Sequence, residues 1–266
     1  MKIIQISDIH LAERGHRLHG LDPIQRFETC IADINAKNAD ADLCVVTGDL
    51  THNGTIGAYE DLRDCLGALS IPYHLLIGNH DNRANFRKVF PDIPCDENGF
   101  VQSVIDVAAG RFLLLDTVEQ GQRWGSYCGQ RRKWLQSQLD ASQERSVYLF
   151  MHHPPFDIGI PCLDRIRLLN NADQIAKIIE PHKNIKHLFL GHVHRPGAGS
   201  WRGIPFSMMR GINHQVPFDL DAFEAVPKSH EPPAYAIIFL ETNQTTVHFH
   251  DYLDSSVWRT KKERIQ

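Results

Sequence analysis

Short apolar runs alternate with amphipathic segments through the first two-thirds of the 266-residue chain. Residues 2–7 (KIIQIS), 42–47 (DLCVVT) and 73–77 (YHLLI) read as buried strands. Between them, residues 23–37 align Ile24, Phe27, Ile31 and Ile34 on one face, and residues 57–69 align Tyr59, Leu62, Leu66 and Leu69. That spacing is helical. Strands alternating with helices require a sheet with helices packed on it. Residues 101–107 and 111–116 read as a hairpin around Gly110, 130–141 and 171–180 as helices, and 146–151 and 185–190 as further strands. The tail changes character: 204–209, 234–240 and 245–251 read as antiparallel strands. The pattern predicts a mixed α/β protein with two sheets packed together and helices outside. One domain is expected over 1–266. Irregular insertions near 154–170 and 211–233 are expected to rim the active site or to contact another copy.

Composition narrows the function classes. Hydrophobic residues make up 42%, enough for one large core, and the formal net charge is −4. A mildly acidic chain is not built for bulk capture of nucleic acid or anionic membrane. The opening MKIIQISDIH is too short and too polar for a signal peptide, and no apolar run approaches the ~20 residues that span a bilayer. A cytoplasmic protein with no membrane or nucleic-acid partner is expected. Its six cysteines form no C-x-x-C pair and read as reduced, mostly buried thiols. The unusual count is sixteen histidines.

Those histidines gather with carboxylates after strands. The first run ends in Asp8-Ile9-His10, the second in Gly48-Asp49 and the third in Gly78-Asn79-His80-Asp81. Residues 146–151 lead into His152-His153-Pro154-Pro155, and 185–190 into Gly191-His192-Val193-His194. Along an extended segment, residues two apart share a side, so Asp8 and His10, and likewise His192 and His194, are expected to point together. Each motif alone has an ordinary explanation as a cap, a turn or a surface pair. Five of them, all beyond strand ends where α/β sheets collect ligands, do not. Asp8, His10, Asp49, Asn79, His152, His192 and His194 are therefore the expected metal ligands. His80 is a candidate acid, Asp81 its expected orienter, and His153 a supporting residue.

These five motifs, in this order over roughly residues 1–200, resemble the calcineurin-like metallophosphoesterase superfamily. The forms SDIH, TGDL, GNHD, MHHPP and GHVH, with His214-Gln215-Val216-Pro217 downstream, are similar to its branch of class III cyclic nucleotide phosphodiesterases and related glycerophosphodiesterases. The resemblance implies a four-layer α/β/β/α sandwich and a dimer or higher homo-oligomer. It implies one metal on Asp8, His10, Asp49 and His194 and a second on Asp49, Asn79, His152 and His192, with Asp49 shared. A mixed nitrogen and oxygen set without thiolate suits Fe, Mn, Zn or Co, divalent or trivalent, and does not choose among them. Two such ions roughly 3.5–4 Å apart clamp a small phosphate diester and share a hydroxide that attacks in line. His80 then protonates the leaving oxygen or steadies charge on phosphorus.

His214 is expected to approach the substrate. Arg14 and His16, with Arg17 and His19 in the same 12–20 loop, and Asn53 beyond the second strand, are the other candidate substrate contacts. His52 stands where related sequences carry Asp or another polar residue, which leaves nucleotide preference open. Three other functions fit parts of the pattern: a phosphomonoesterase on the same site, a non-catalytic scaffold, and a nuclease. The intact ligand set argues against the scaffold and the net charge against the nuclease.

Overall fold

The computed structural model describes residues 1–256. Its elements in chain order are β1 (Lys2–Ile6), α1 (Pro23–Lys37), β2 (Leu43–Thr47), α2 (Ile56–Leu66), β3 (Tyr73–Leu76), α3 (Arg83–Val89), β4 (Ser103–Val107), β5 (Gly110–Leu115), β6 (Gly125–Ser126), α4 (Gly129–Asp140), β7 (Val147–Met151), α5 (Pro161–Asp164), β8 (Leu168–Asn170), α6 (Ala172–Ile179), β9 (Ile185–Leu190), β10 (Gly197–Trp201), β11 (Ile204–Met208), β12 (Tyr235–Glu241) and β13 (Gln244–His250). One sheet runs β13-β12-β1-β2-β3 and the other β10-β11-β9-β7-β5-β4, with a small β6-β8 pair beside them. No helix among the described residues is long and apolar enough to cross a membrane.

Strand alternation creates the layers. In β1 and β2, Ile4, Cys44 and Val46 pack with Phe27, Ile31 and Ile34 of α1 and with Tyr59 and Leu62 of α2. Their neighbours Ile3 and Val45 face the other way, onto Phe112, Phe150 and Phe189 of the second sheet. On that sheet's far side, Leu113, Leu149 and Leu188 meet Leu135 and Leu139 of α4 and Ile175 and Ile179 of α6. Helix, sheet, sheet, helix is the four-layer order expected.

The inter-sheet face becomes polar toward one end. Along β1 it runs Ile3, Gln5, Ser7, all buried, and along β2 Val45 gives way to Thr47. Gln5 Nε2 donates to Thr47 Oγ1 at 3.1 Å and to the Leu190 carbonyl at 3.3 Å, tying β1 to β2 and across to β9. The ends of β1, β2, β3, β7 and β9 converge beyond this polar seam.

Three sequence expectations are corrected. Residues 204–209 were expected to be antiparallel, but β11 runs parallel to β9 and antiparallel only to β10. The short α3 follows the Gly78-Asn79-His80-Asp81 turn, where no helix was expected; Asn82 caps it by accepting from Asn85 N at 3.0 Å. The insertion 154–170 holds α5 and β8 and is less irregular than its composition implied.

Gln5→Leu removes the donor from a buried acceptor pair. It should lower stability by about 1–3 kcal/mol. Chemical denaturation measures this, and an unchanged midpoint would show that the seam does not depend on the bridge.

Candidate metal centre

Asp8 and His10 do not lie on an extended strand, as the D-x-H spacing implied. β1 ends at Ile6, and both residues hold left-handed backbone, with φ of 53° and 47°. His192 and His194 repeat the device after β9, with φ of 73° and 50°, and Asp49 has φ 47°. Left-handed backbone costs an L-residue roughly 1–2 kcal/mol, so something must hold it. The residue between each pair does so: Ile9 and Val193 are buried in the two helix-facing cores. With the middle side chain anchored inward, its flanking ligands turn out into the cleft.

The seven expected ligands come together in two nests. Ligand atoms of Asp8, His10, Asp49 and His194 all lie within 4.8 Å of one another. His10 Nε2 is 3.1 Å from His194 Nε2 and 3.4 Å from Asp49 Oδ2, and His194 Nε2 is 3.4 Å from Asp8 Oδ1. In the second nest, His152 Nε2 is 3.2 Å from Asn79 Oδ1, 3.3 Å from His192 Nδ1 and 3.4 Å from Asp49 Oδ1. Asp49 turns one oxygen to each nest.

Proton placement shows what such a site wants. His152 Nδ1 donates to the Thr47 carbonyl at 2.8 Å, and His194 Nδ1 donates to the His214 carbonyl at 2.7 Å. In each neutral ring the Nε2 lone pair is therefore bare and aimed at other acceptors. Lone pairs facing lone pairs in a buried site call for a cation. The carboxylates make the same demand for positive charge, which without an ion falls on His152. Burial draws His152 down, but the carboxylates of Asp49 and Asp8 outweigh it and hold its pKa up at about 9. Burial drives His10 and His192 well below the usual histidine range, which favours the uncharged ring in both. Two imidazole pairs sharing a buried carboxylate, with the proton on His152 replaceable by a metal ion, fit two first-row transition ions.

Gly78 makes room for this. A Cβ at that position would collide with the Asp49 carboxylate and backbone nitrogen and would lie 2.7 Å from His152 Nε2.

His80 stands at the edge of the nests. Its backbone nitrogen donates to Asp49 Oδ1 at 2.9 Å, and its Nδ1 donates to the His52 carbonyl at 2.9 Å. Its orienter is thus His52, not Asp81 as expected. Asp81 is turned away and is saturated by other donors: Gly78 N, Leu50 N, Thr51 N, Thr51 Oγ1 and Tyr59 OH at 2.8–3.2 Å. Burial, then Asp49, pushes its pKa up to about 6. Its work is to clamp the loops that carry Asp49 and Asn79. His153 is fully buried, with Nδ1 2.7 Å from Thr117 Oγ1.

Above the two nests lies a cleft of about 470 Å³. His214 lines it, with its ring centroid 4.6 Å from that of His194 and 4.9 Å from that of His10. His16 and Asn53 do not line the cleft; they line an adjacent cavity of about 340 Å³, and His52 borders both. Arg14 is on the surface, its backbone and guanidinium both toward Asp61. Leu163 and Ile166 from 154–170, and Val216, Glu224 and Lys228 from 211–233, line the cleft. Arg123 and Lys228 were not singled out in the sequence, where isolated cations in loops carry no pattern.

A family model for calcineurin-like phosphoesterases matches residues 1–196, a span that holds all five motifs. The chain belongs to the calcineurin-like phosphoesterase family. Among relatives, a probable cyclic nucleotide phosphodiesterase of Rhodopseudomonas palustris is 42% identical over 251 residues, covering 93% of this chain and 91% of its own. A probable glycerophosphodiester phosphodiesterase of Arcobacter nitrofigilis is 30% identical, covering 92% and 90%. A dimetal phosphatase from Danio rerio shares the fold of this calcineurin-like phosphoesterase, with a TM-score of 0.72 over 95% of this chain and 96% of its own at 17% identity.

Gly78→Ala should displace the Asp49 carboxylate and weaken metal binding at least about tenfold, a loss in the range seen when groups supporting metal ligands are removed. Calorimetric titration with Mn²⁺ measures it, with circular dichroism to check folding. Unchanged affinity in a folded variant would remove the glycine from the site's design.

Proposed function

We propose that this protein is a metal-dependent phosphodiesterase acting on small diesters, cyclic nucleotides or glycerophosphodiesters. The observation that carries the reading is the paired nests sharing Asp49 with His80 held just outside them: two cation sites and one histidine free of ligand duty. The names of the two sequence relatives support the diester preference.

Asp8, His10, Asp49 and His194 would hold one ion, and Asp49, Asn79, His152 and His192 the other. Bound there, a pair of divalent ions supplies charge to neutralise the phosphoryl oxygens and a nucleophilic water at neutral pH. The chain's own residues do the rest. His152 and His194 fix their tautomers through backbone carbonyls, so no rotation is needed to present Nε2. His80, with Nδ1 committed to the His52 carbonyl, presents Nε2 alone to the cleft. That atom is the one to carry a proton to the departing alkoxide, or to donate to a phosphoryl oxygen. His214, wedged between the His194 and His19 rings, limits the space beside the phosphate.

His80→Ala should lower kcat for bis(p-nitrophenyl) phosphate by about 10²–10⁴-fold, while metal content by elemental analysis stays near wild type. Wild-type enzyme should favour that diester over p-nitrophenyl phosphate. A preference for the monoester, or full turnover without His80, would overturn the proposal.

A further inference from the structure

Two cations face the cleft and have no use in the mechanism above. Arg123 comes from the loop between β5 and β6, and Lys228 from the 211–233 segment. Among the described residues neither has an ion-pair partner, and Glu224, which also lines the cleft, pairs with neither. The two lie close enough to feel one another. Burial and then Arg123 draw the Lys228 ammonium down, while Asp49 on the cleft floor acts the other way.

The backbone beside Lys228 is held in place. The next residue, Ser229, exchanges two backbone hydrogen bonds with Gln215, at 2.9 and 3.0 Å. Gln215 is buried, and its side chain clamps Gly211 from both sides, accepting from the nitrogen at 2.9 Å and donating to the carbonyl at 2.7 Å. Arg195 ties the Val216 carbonyl at 2.7 Å and Glu231 at 3.1 Å. His230 Nε2 reaches the His19 carbonyl at 2.9 Å. This irregular segment therefore fixes the backbone at Lys228 on the rim of the cleft that His214 also lines, with the Lys228 side chain exposed.

A simple phosphate diester brings one negative charge, and the metal nests are built to take it. Arg123 and Lys228 remain, both lining the same cleft and neither held in an ion pair among the described residues. We infer that they form a subsite for a second anionic group of the substrate, so that the favoured diester carries an ionised phosphate or carboxylate beyond its scissile phosphate. The inference rests on the phosphodiesterase reading for its substrate class, but the subsite itself is testable by binding alone.

The test uses matched thymidine ligands on Mn²⁺-loaded full-length protein. Calorimetry compares thymidine 3′,5′-bisphosphate with thymidine 5′-phosphate. Kinetics compares thymidine 5′-(p-nitrophenyl phosphate) with the same ester bearing a 3′-phosphate. Wild type should favour the extra phosphate by about tenfold or more in both, the scale of a charge-assisted contact. In Lys228→Ala that advantage should fall to within about threefold, and in Lys228→Arg it should return, because Arg keeps the charge. Arg123→Ala, on a different loop, should reduce it independently. Equal wild-type binding of the two nucleotides, or an advantage that survives both alanine variants, would overturn the subsite. Failure to hydrolyse either ester while the calorimetric preference persists would leave the subsite standing and reject the phosphodiesterase reading.

Discussion

The Asp49 carboxylate sits where both nests meet, and the surrounding structure is arranged to keep it there. Burial opposes its charge, but the charges of His152 and then His80 beside it prevail and keep it ionised, well below the usual carboxylate range. A buried carboxylate is costly without partners. Here the partners are one backbone nitrogen and imidazoles that present lone pairs as much as protons. A cation satisfies all of them at once. Gly78 lets the carboxylate approach, and Asp81 binds the loops on either side.

The backbone is loaded to serve the same end. Asp8, His10, Asp49, His192 and His194 all take left-handed conformations that their side chains disfavour. Conformations of this kind persist only when surrounding structure over-determines them, and they collect at functional sites. Buried Ile9 and Val193 supply the restraint. Stability elsewhere in the two helix-facing cores thereby holds the side chains of the two nests in place.

Much of this was legible in the sequence because it follows from periodicity. The strand and helix patterns of residues 2–190 gave the layers, since alternation along β1 and β2 separates Ile3 and Val45 from Ile4 and Val46. The seven residues that meet in the two nests were legible because each follows a strand. What stayed hidden depends on chain path or backbone dihedrals. The Gly-Ala-Gly-Ser-Trp of β10 has little strand propensity and is a strand because β11 pairs with it. Asp81 was expected to orient His80, but its partners are mainly backbone nitrogens that no residue pattern records, and a carbonyl orients His80 instead. Arg14 was drawn away by Asp61. His16 and Asn53 fell on the far side of His52.

Asp49, with one oxygen toward each nest, is placed to join two cation sites. Crystals of the protein soaked in Mn²⁺ and measured at the manganese edge test it most directly. Two anomalous peaks per chain are predicted, one on each side of the Asp49 carboxylate, the first against His10 and His194 and the second against His152 and His192. A single peak, or peaks away from Asp49, would contradict the account.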